Sequence, residues 1–164
     1  AACNIESTFR VSGAPAIVLA QLMEGGTMYI ESYLFFDGRC EAALEFYRKA
    51  LGAEVTLLMR FKDCPERLDP AMVPAGSENK VMHASFRIGD TSVMASDGQC
   101  QGEPSFQGFS LSLTAADEAE ADRYFAALAD GGKVTMPLGK TFFSPRFGML
   151  VDRFGVNWMV IVQH

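Results

Sequence analysis

Residues 28–51 read MYIESYLFFDGRCEAALEFYRKAL and contain the first two elements of a unit that occurs twice in the chain. Tyr29 to Phe36 is rich in aromatic residues and alternates, which predicts a strand, and Asp37-Gly38 interrupts it. Glu41 to Leu51 carries apolar residues with the i, i+3, i+4, i+7 spacing of one helix face. Gly52 then follows at the position of a C′ glycine.

Three further strands complete this first unit. They are predicted at Glu54 to Phe61, Val81 to Ile88 and Thr91 to Ser96. The prolines of Lys62 to Lys80 make that stretch irregular, whereas Gly89-Asp90 is a hairpin signal. The order is therefore βαβββ.

The second half of the chain repeats this order. A strand is predicted at Phe109 to Thr114, and Asp117 with Glu120 forms a capping box that opens a helix. Gly131-Gly132 ends this helix. Further strands are predicted near Lys133 to Pro137, Gly148 to Asp152 and Val156 to Val162.

The two helices match in sequence at a constant offset of 78 residues, so that Ala43 is equivalent to Ala121. The same offset places Tyr33 on Leu111 and Ser32 on Ser110. A shared offset of this kind indicates an internal duplication. The prediction is an α+β fold of two tandem βαβββ modules, residues 28–98 and 106–164.

Composition excludes several classes of partner. The formal net charge is −6 and no Lys/Arg cluster occurs, which argues against nucleic acid and anionic membranes. No apolar run reaches the ~20 residues that cross a bilayer. The cysteines form no CxxC pair or zinc spacing, so we expect free thiols in a cytoplasmic protein; they are Cys3, Cys40, Cys64 and Cys100.

Residues 1–27 are expected to be a leader upstream of the natural start. Glu24 to Thr27 can be encoded by a purine-rich ribosome-binding sequence, and Met28 follows at a suitable distance. Residues 28–164 then form the folded domain.

Several motifs in order resemble the PhnB-like branch of the glyoxalase and bleomycin-resistance group, in the vicinal-oxygen-chelate (VOC) superfamily. They are Tyr33 to Gly38, Phe46-Tyr47, Met94 to Asp97, Gly131 to Val134 and Asp152 to Trp158. The resemblance implies a curved mixed sheet around a cavity and a homodimer. Members often carry the label 3-demethylubiquinone-9 3-methyltransferase-like, but the chain has no G-x-G-x-G turn for S-adenosylmethionine.

The resemblance also implies metal ligands on the first and last strands of each module. With Tyr33 and Phe35 facing the helix, these positions fall on Ser32, Met94, Ser110 and Met159. If the strand register is shifted by one residue, the four ligand positions fall instead on Tyr33, Ala95, Phe109 and Trp158. Neither set suits a hard or borderline dication, so we expect no metal and no cofactor.

His83 is the leading candidate for chemistry. It shares a strand face with Ser85 and Arg87, opposite Ala84 and Phe86, and this face is expected to line the cavity. His83 is a candidate general base or hydrogen-bonding group, and the alternative is a structural histidine. Asp97 is a candidate to orient the imidazole, and the alternative is a turn cap.

An aromatic group in the second module is a candidate wall for an apolar ligand, with Arg146 to hold an anion. The alternative is packing in the core or in a dimer. The candidate ligand-binding residues are Ser32, Phe36, Arg87, Ser110, Phe142, Phe143, Arg146 and Trp158.

These features predict a metal-independent small-molecule-binding protein of the glyoxalase and bleomycin-resistance type, acting as a homodimer. The alternative is a divergent enzyme, a lyase or isomerase beside a carbonyl or a dioxygenase, with His83 as its acid or base. A 3-demethylubiquinone methyltransferase is the third hypothesis.

Overall fold

The computed structural model describes residues 30–65, 76–98 and 104–163. The first module contains β1 (Ser32–Phe35), α1 (Cys40–Leu51), β2 (Glu54–Arg60), β3 (Val81–Ile88) and β4 (Thr91–Ser96). The second contains β5 (Leu111–Ala115), α2 (Glu118–Ala129), β6 (Lys133–Gly139), β7 (Phe147–Val151) and β8 (Asn157–Val162). The predicted βαβββ order is confirmed in both modules, and the fold is α+β.

Three sequence predictions lie wholly or partly outside the described residues. These are the leader, the thiols of Cys3 and Cys100, and most of the irregular stretch between β2 and β3. Among the described residues, Cys40 and Cys64 are free thiols. None of the helices in the described ranges is long and apolar enough to cross a membrane.

Each module forms its own mixed four-stranded sheet. The strand orders are β1-β4-β3-β2 and β5-β8-β7-β6. The first and last strands of each module pair in parallel, and the other neighbours are antiparallel. A parallel pair requires a long crossover, and the helix of each module lies within that connection.

The predicted helix ends are confirmed. Gly52 adopts a left-handed conformation with φ 68° after α1 and donates its N–H to the carbonyl of Arg48 at 3.1 Å. The Asp117 carboxylate accepts the N–H of Glu120 at 2.7 Å at the start of α2. The helices run from 40 to 51 and from 118 to 129, so the offset of 78 holds at both ends.

One core joins the two modules. The ring of Tyr47 on α1 lies 5.6 Å from that of Trp158 on β8, and Phe36 meets Phe154 edge-on at 6.0 Å. The Tyr47 hydroxyl donates to Asp152 at 2.7 Å. The helix-bearing sides of both sheets therefore contribute to the same interior.

The predicted orientation of β1 is wrong. Leu34 and Phe36 are buried in the core, whereas Tyr33 and Phe35 are 37% and 54% exposed. The buried Leu34 corresponds to the buried Leu113 (34 to 113), so the strands are offset by 79 residues and the helices by 78. The distance along the chain from this leucine to the first residue of the helix is therefore one residue shorter in the second module.

Candidate functional site

Face A is the side of the first sheet that points away from α1. Phe86 stacks on Tyr47 of α1 with ring centroids 5.8 Å apart, so Phe86 faces the helix and its strand neighbours face away. One row of face A crosses the four strands through Tyr33, Met94, Ser85 and Leu57. His83 lies next to this row on β3, paired with Met59.

Face B is the side of the second sheet that points away from α2. A Cβ added to Gly148 would lie 2.8 Å from a ring atom of Phe125 on α2, so Phe147 and Met149 point the other way. The row that corresponds to that of face A consists of Ser112, Met159, Met149 and Met136. Face B is therefore rich in thioethers.

His83 is the polar centre of face A. It is only 7% exposed, its Nδ1 lies 3.0 Å from the Tyr33 hydroxyl, and its Nε2 lies 3.4 Å from the Ser85 hydroxyl. The rings of Tyr33 and His83 are 5.7 Å apart, and Phe35 stacks on Tyr33 at 4.9 Å. The result is a buried imidazole within an aromatic patch.

Burial determines the charge of this pair. It lowers the pKa of His83 below its ordinary value, so the neutral imidazole predominates at pH 7. Burial also raises the pKa of Tyr33, so the phenol keeps its proton. In one tautomer Tyr33 donates to Nδ1, and in the other the roles are exchanged. Nε2 then donates to the Ser85 hydroxyl in the first tautomer and accepts from it in the second, at 3.4 Å.

Asp97 binds backbone N–H groups of the first module. Its Oδ1 accepts the N–H of Cys40 and its Oδ2 accepts the N–H of Val81, both at 2.8 Å, so it ties the start of α1 to the start of β3. The hydrogen bonds of the His83 ring are with Tyr33 and Ser85. The alternative that Asp97 is a local structural cap fits these contacts.

Four of the predicted ligand-binding residues are either buried in the core or engaged in ion pairs. Phe36 is fully buried in the core, and Trp158 is 3% exposed with its indole N–H donating to Asp152 at 2.9 Å. Arg146 pairs with Asp122 at 2.8 Å, and the Arg87 guanidinium at the edge of face A pairs with Glu54 at 2.7 Å. Neither cation is therefore poised for an anionic ligand.

The two predicted serines lie in different places. Ser32 points to the helix side of its sheet, opposite to the prediction, and lines a cleft of about 490 Å³ with Leu111, Tyr124 and Trp158. Ser110 lines a separate depression with Phe109 and Met159. The chain does not bring the two serines together as a ligand pair.

The corrected register also changes the positions where relatives would hold a metal. Tyr33, Met94, Ser112 and Met159 now occupy them, two hydroxyls and two thioethers. Such donors are poor ligands for a hard or borderline dication. Within residues 30–65, 76–98 and 104–163, no group of three or more His, Cys, Asp or Glu side chains is arranged to bind an ion. The residues present do not fit the implied metal.

Two important residues were missed in the sequence. The sequence predicts the wrong side of β1 for Tyr33, because every residue from Tyr33 to Phe36 is apolar or aromatic and no alternation distinguishes the two sides. Asp152 precedes the turn signal Phe154-Gly155, and its sequence context indicates no role beyond that turn. Its Oδ1 does accept the N–H groups of Phe154 and Val156, but its Oδ2 also accepts from Tyr47 and Trp158.

Comparison with known proteins gives consistent results. Residues 28–161 match the family described as 3-demethylubiquinone-9 3-methyltransferase. The Escherichia coli K12 protein YjdN is 34% identical over 140 residues, which cover 82% of this chain and 95% of YjdN.

Two solved structures are also similar. The Pseudomonas aeruginosa protein PA1353 is 41% identical, with 84% of this chain and 98% of PA1353 covered and a TM-score of 0.73. A Bacillus cereus PhnB protein, also named for 3-demethylubiquinone-9 3-methyltransferase, is 31% identical, with 82% and 99% covered and a TM-score of 0.68. A glyoxalase/bleomycin resistance protein/dioxygenase domain from Frankia shares the fold alone, at 14% identity and a TM-score of 0.58.

Proposed function

Because the chain belongs to the 3-demethylubiquinone-9 3-methyltransferase family and has a glyoxalase-like VOC fold, we propose that it binds a small molecule on face A without a metal. The observation that carries this proposal is the neutral His83, held by Tyr33 among aromatic side chains. A ligand that fits is an apolar or aromatic molecule with one hydroxyl or carbonyl group, which would replace the 3.4 Å contact of Ser85 as the hydrogen-bond partner of Nε2 of His83.

The proposal includes a homodimer. Faces A and B both expose apolar side chains and lie outside the common core, which supports a site closed by a second copy. The free thiols of Cys40 and Cys64 favour a reducing compartment such as the cytosol.

Binding is favoured over catalysis by the surroundings of His83. A general base works best when a neighbouring group stabilises its protonated form, as a carboxylate does. In the part of the chain that the structure describes, the ring contacts two hydroxyl groups, and burial disfavours its imidazolium form. His83 is thus better suited to hydrogen-bond a ligand than to take up a proton.

The test is a thermal-shift screen with aromatic alcohols and ketones, comparing wild type, His83→Ala and Arg48→Ala. Arg48 is an exposed residue of α1 and serves as the control. We expect stabilisation of wild type and Arg48→Ala by the same compounds and loss of the shift in His83→Ala. Equal shifts in all three proteins, or none in wild type, would contradict a site at His83.

The enzyme alternative also rests on His83. A lyase, isomerase or dioxygenase-like activity would show turnover of a bound carbonyl compound, with a rate that falls when His83 titrates. The methyltransferase named in the family description predicts binding of S-adenosylmethionine, which isothermal titration calorimetry measures directly. We expect no turnover and no binding of that cofactor.

A further inference from the structure

A continuous line of hydrogen bonds connects polar side chains on face A. Ser96 lies two residues after Met94 on β4, so its side chain points to the same side of the sheet as Tyr33. The Ser96 hydroxyl bonds with that of Tyr33. The Tyr33 hydroxyl lies 3.0 Å from Nδ1 of His83, and Nε2 of the same ring lies 3.4 Å from the Ser85 hydroxyl. The line therefore has Ser96 at one end and Ser85 at the other.

The direction of the hydrogen bonds is fixed at the Ser96 end. A backbone N–H can only donate, and that of Gly98 donates to the Ser96 oxygen at 3.0 Å. Ser96 is 2% exposed, so its own hydroxyl hydrogen must find an acceptor inside the protein. Among the described residues, the hydrogen-bond partners of this side chain are Gly98 and Tyr33. Ser96 therefore donates to the phenol oxygen of Tyr33.

This direction is passed on to the imidazole of His83. Because the Tyr33 oxygen accepts from Ser96, the Tyr33 hydrogen is donated to Nδ1. A neutral imidazole carries one proton, which is then on Nε2 and points to Ser85. In the reverse order Tyr33 would donate to Ser96, and the buried Ser96 hydrogen would lose its acceptor. An unmet buried donor destabilises the folded state, so the first order is favoured.

The pKa values of the two rings agree with this order. Burial raises the pKa of Tyr33, and the hydrogen bond with Ser96 lowers it in opposition. A hydrogen bond lowers the pKa of a phenol when it is donated to the oxygen, because it stabilises the phenolate. Burial lowers the pKa of His83, so the ring is neutral and has one proton to place.

We infer that His83 holds its proton on Nε2 and that the site therefore selects ligand groups that accept a hydrogen bond. The ligand class rests on the proposed function, because it concerns the same site. A ligand that takes the place of Ser85 meets an N–H donor within the aromatic patch. An aromatic ketone or aldehyde fits this donor, whereas a molecule whose only polar group is an N–H does not. Ser96 acts through Tyr33 and His83 and is a positioning residue for this specificity.

The direct test is a long-range proton–nitrogen correlation NMR spectrum of the ¹⁵N-labelled wild-type protein at pH 7.5, which distinguishes a protonated ring nitrogen from a bare one. The chain has two histidines, and the spectrum of His83→Gln identifies the signals of His83. We expect the Nε2–H tautomer of His83 in about tenfold excess. A predominant Nδ1–H tautomer, or equal populations, would overturn the inference.

A second measurement compares the tautomer ratio of His83 in Ser96→Ala and Ser92→Ala. Ser92 is an exposed residue of β4 that points to the same side of the sheet as Ser96, but it pairs with Arg87 at the far end of the strand. We expect the excess of the Nε2–H tautomer to fall about tenfold in Ser96→Ala and to be unchanged in Ser92→Ala. The same ratio in both variants would show that Ser96 does not position the proton.

The ligand class is tested by thermal shift with two bicyclic compounds of similar size. The carbonyl of 1-indanone can only accept a hydrogen bond, and the N–H of indole donates one. We expect 1-indanone to raise the Tm of wild type but not of His83→Ala, and indole to give no shift that depends on His83. A shift that depends on His83 with indole and not with 1-indanone would overturn the inference.

The outcomes separate this inference from the proposed function. Ligands that bind through His83 while its proton is on Nδ1 overturn the inference and leave the proposed function standing. A proton on Nε2, with no compound that stabilises wild type through His83, overturns the proposed function and its ligand class but supports the order of the hydrogen bonds.

Discussion

The imidazole of His83 makes stability depend on pH in a predictable direction. Its pKa is lowered by burial in the folded protein and is near 6.5 in the unfolded chain. As the pH falls below 6.5, the unfolded chain takes up a proton that the folded protein resists, so the free energy of unfolding decreases. The contribution of neutral His83 is fully present above pH 6.5.

We therefore expect wild-type stability to fall between pH 7.5 and pH 5 and to fall less steeply in His83→Gln. Urea unfolding at several pH values measures this difference, and any effect of His164 is common to both proteins. NMR titration should place the pKa of His83 below its ordinary value. A pKa above that value would mean that an unrecognised negative charge faces the ring.

A second buried polar residue, Asp152, has a structural role. Its carboxylate accepts hydrogen bonds from Tyr47 of the first module and from Trp158, Phe154 and Val156 of the second. Burial raises the pKa of Tyr47, and the adjacent negative charge of Asp152 raises it further, so the phenol remains a donor. The hydrogen bond between Tyr47 and Asp152 therefore links the two modules inside the core.

Replacing Asp152 by Ala leaves four donors without this acceptor. We expect a loss of about 3 kcal/mol in the free energy of unfolding. Asp117→Ala is a matched control, because it removes an exposed helix cap and should cost about 1 kcal/mol. Fluorescence of the single tryptophan, Trp158, reports the unfolding of both variants. Equal losses would show that the buried network contributes no more than a surface cap.

At the level of the elements, the helices were predictable and one strand face was not. The periodicity of α1 and α2 distinguishes a buried side from an exposed side, so both helices and their offset were found from the sequence. β1 has apolar residues on both sides, because face A is itself apolar. Which side of β1 faces α1 depends on the length of the connection between them, and no pattern in the sequence indicates that length.

The contact between β7 and α2 is testable with two glycines. A Cβ at Gly148 would lie 2.8 Å from the Cα of Leu138 and 2.8 Å from Phe125, whereas a Cβ at Gly139 meets nothing within 4 Å. We expect Gly148→Ala to destabilise the protein by about 2 kcal/mol through overpacking and Gly139→Ala to be nearly neutral. Thermal unfolding of both variants checks this, and a neutral Gly148→Ala would mean that α2 packs less closely on β7.

At the scale of the whole molecule, the duplication explains why the site was only partly predictable. The sequence indicated two related modules and a side of β3 that His83 shares with Ser85 and Arg87, and both are found. The positions of the other candidate ligand-binding residues depend on how the two modules pack against each other. Trp158 and Phe36 lie in the core because the helix-bearing sides meet there, and Arg146 is paired because α2 presents Asp122 to it.

The position of Met159 on face B allows the proposed dimer to be tested. Met159 lies in the central row of face B, where a second copy would bury it. A lysine at this position would place an unpaired charge in an apolar interface, so Met159→Lys should raise the dissociation constant of the dimer about a hundredfold or more. Ala126→Lys, on the exposed surface of α2, is the matched control and should leave the dimer intact. Sedimentation velocity across a range of concentrations distinguishes the two variants. If both remain dimeric, face B is not the interface, and the proposal that a second copy closes the His83 site must be abandoned.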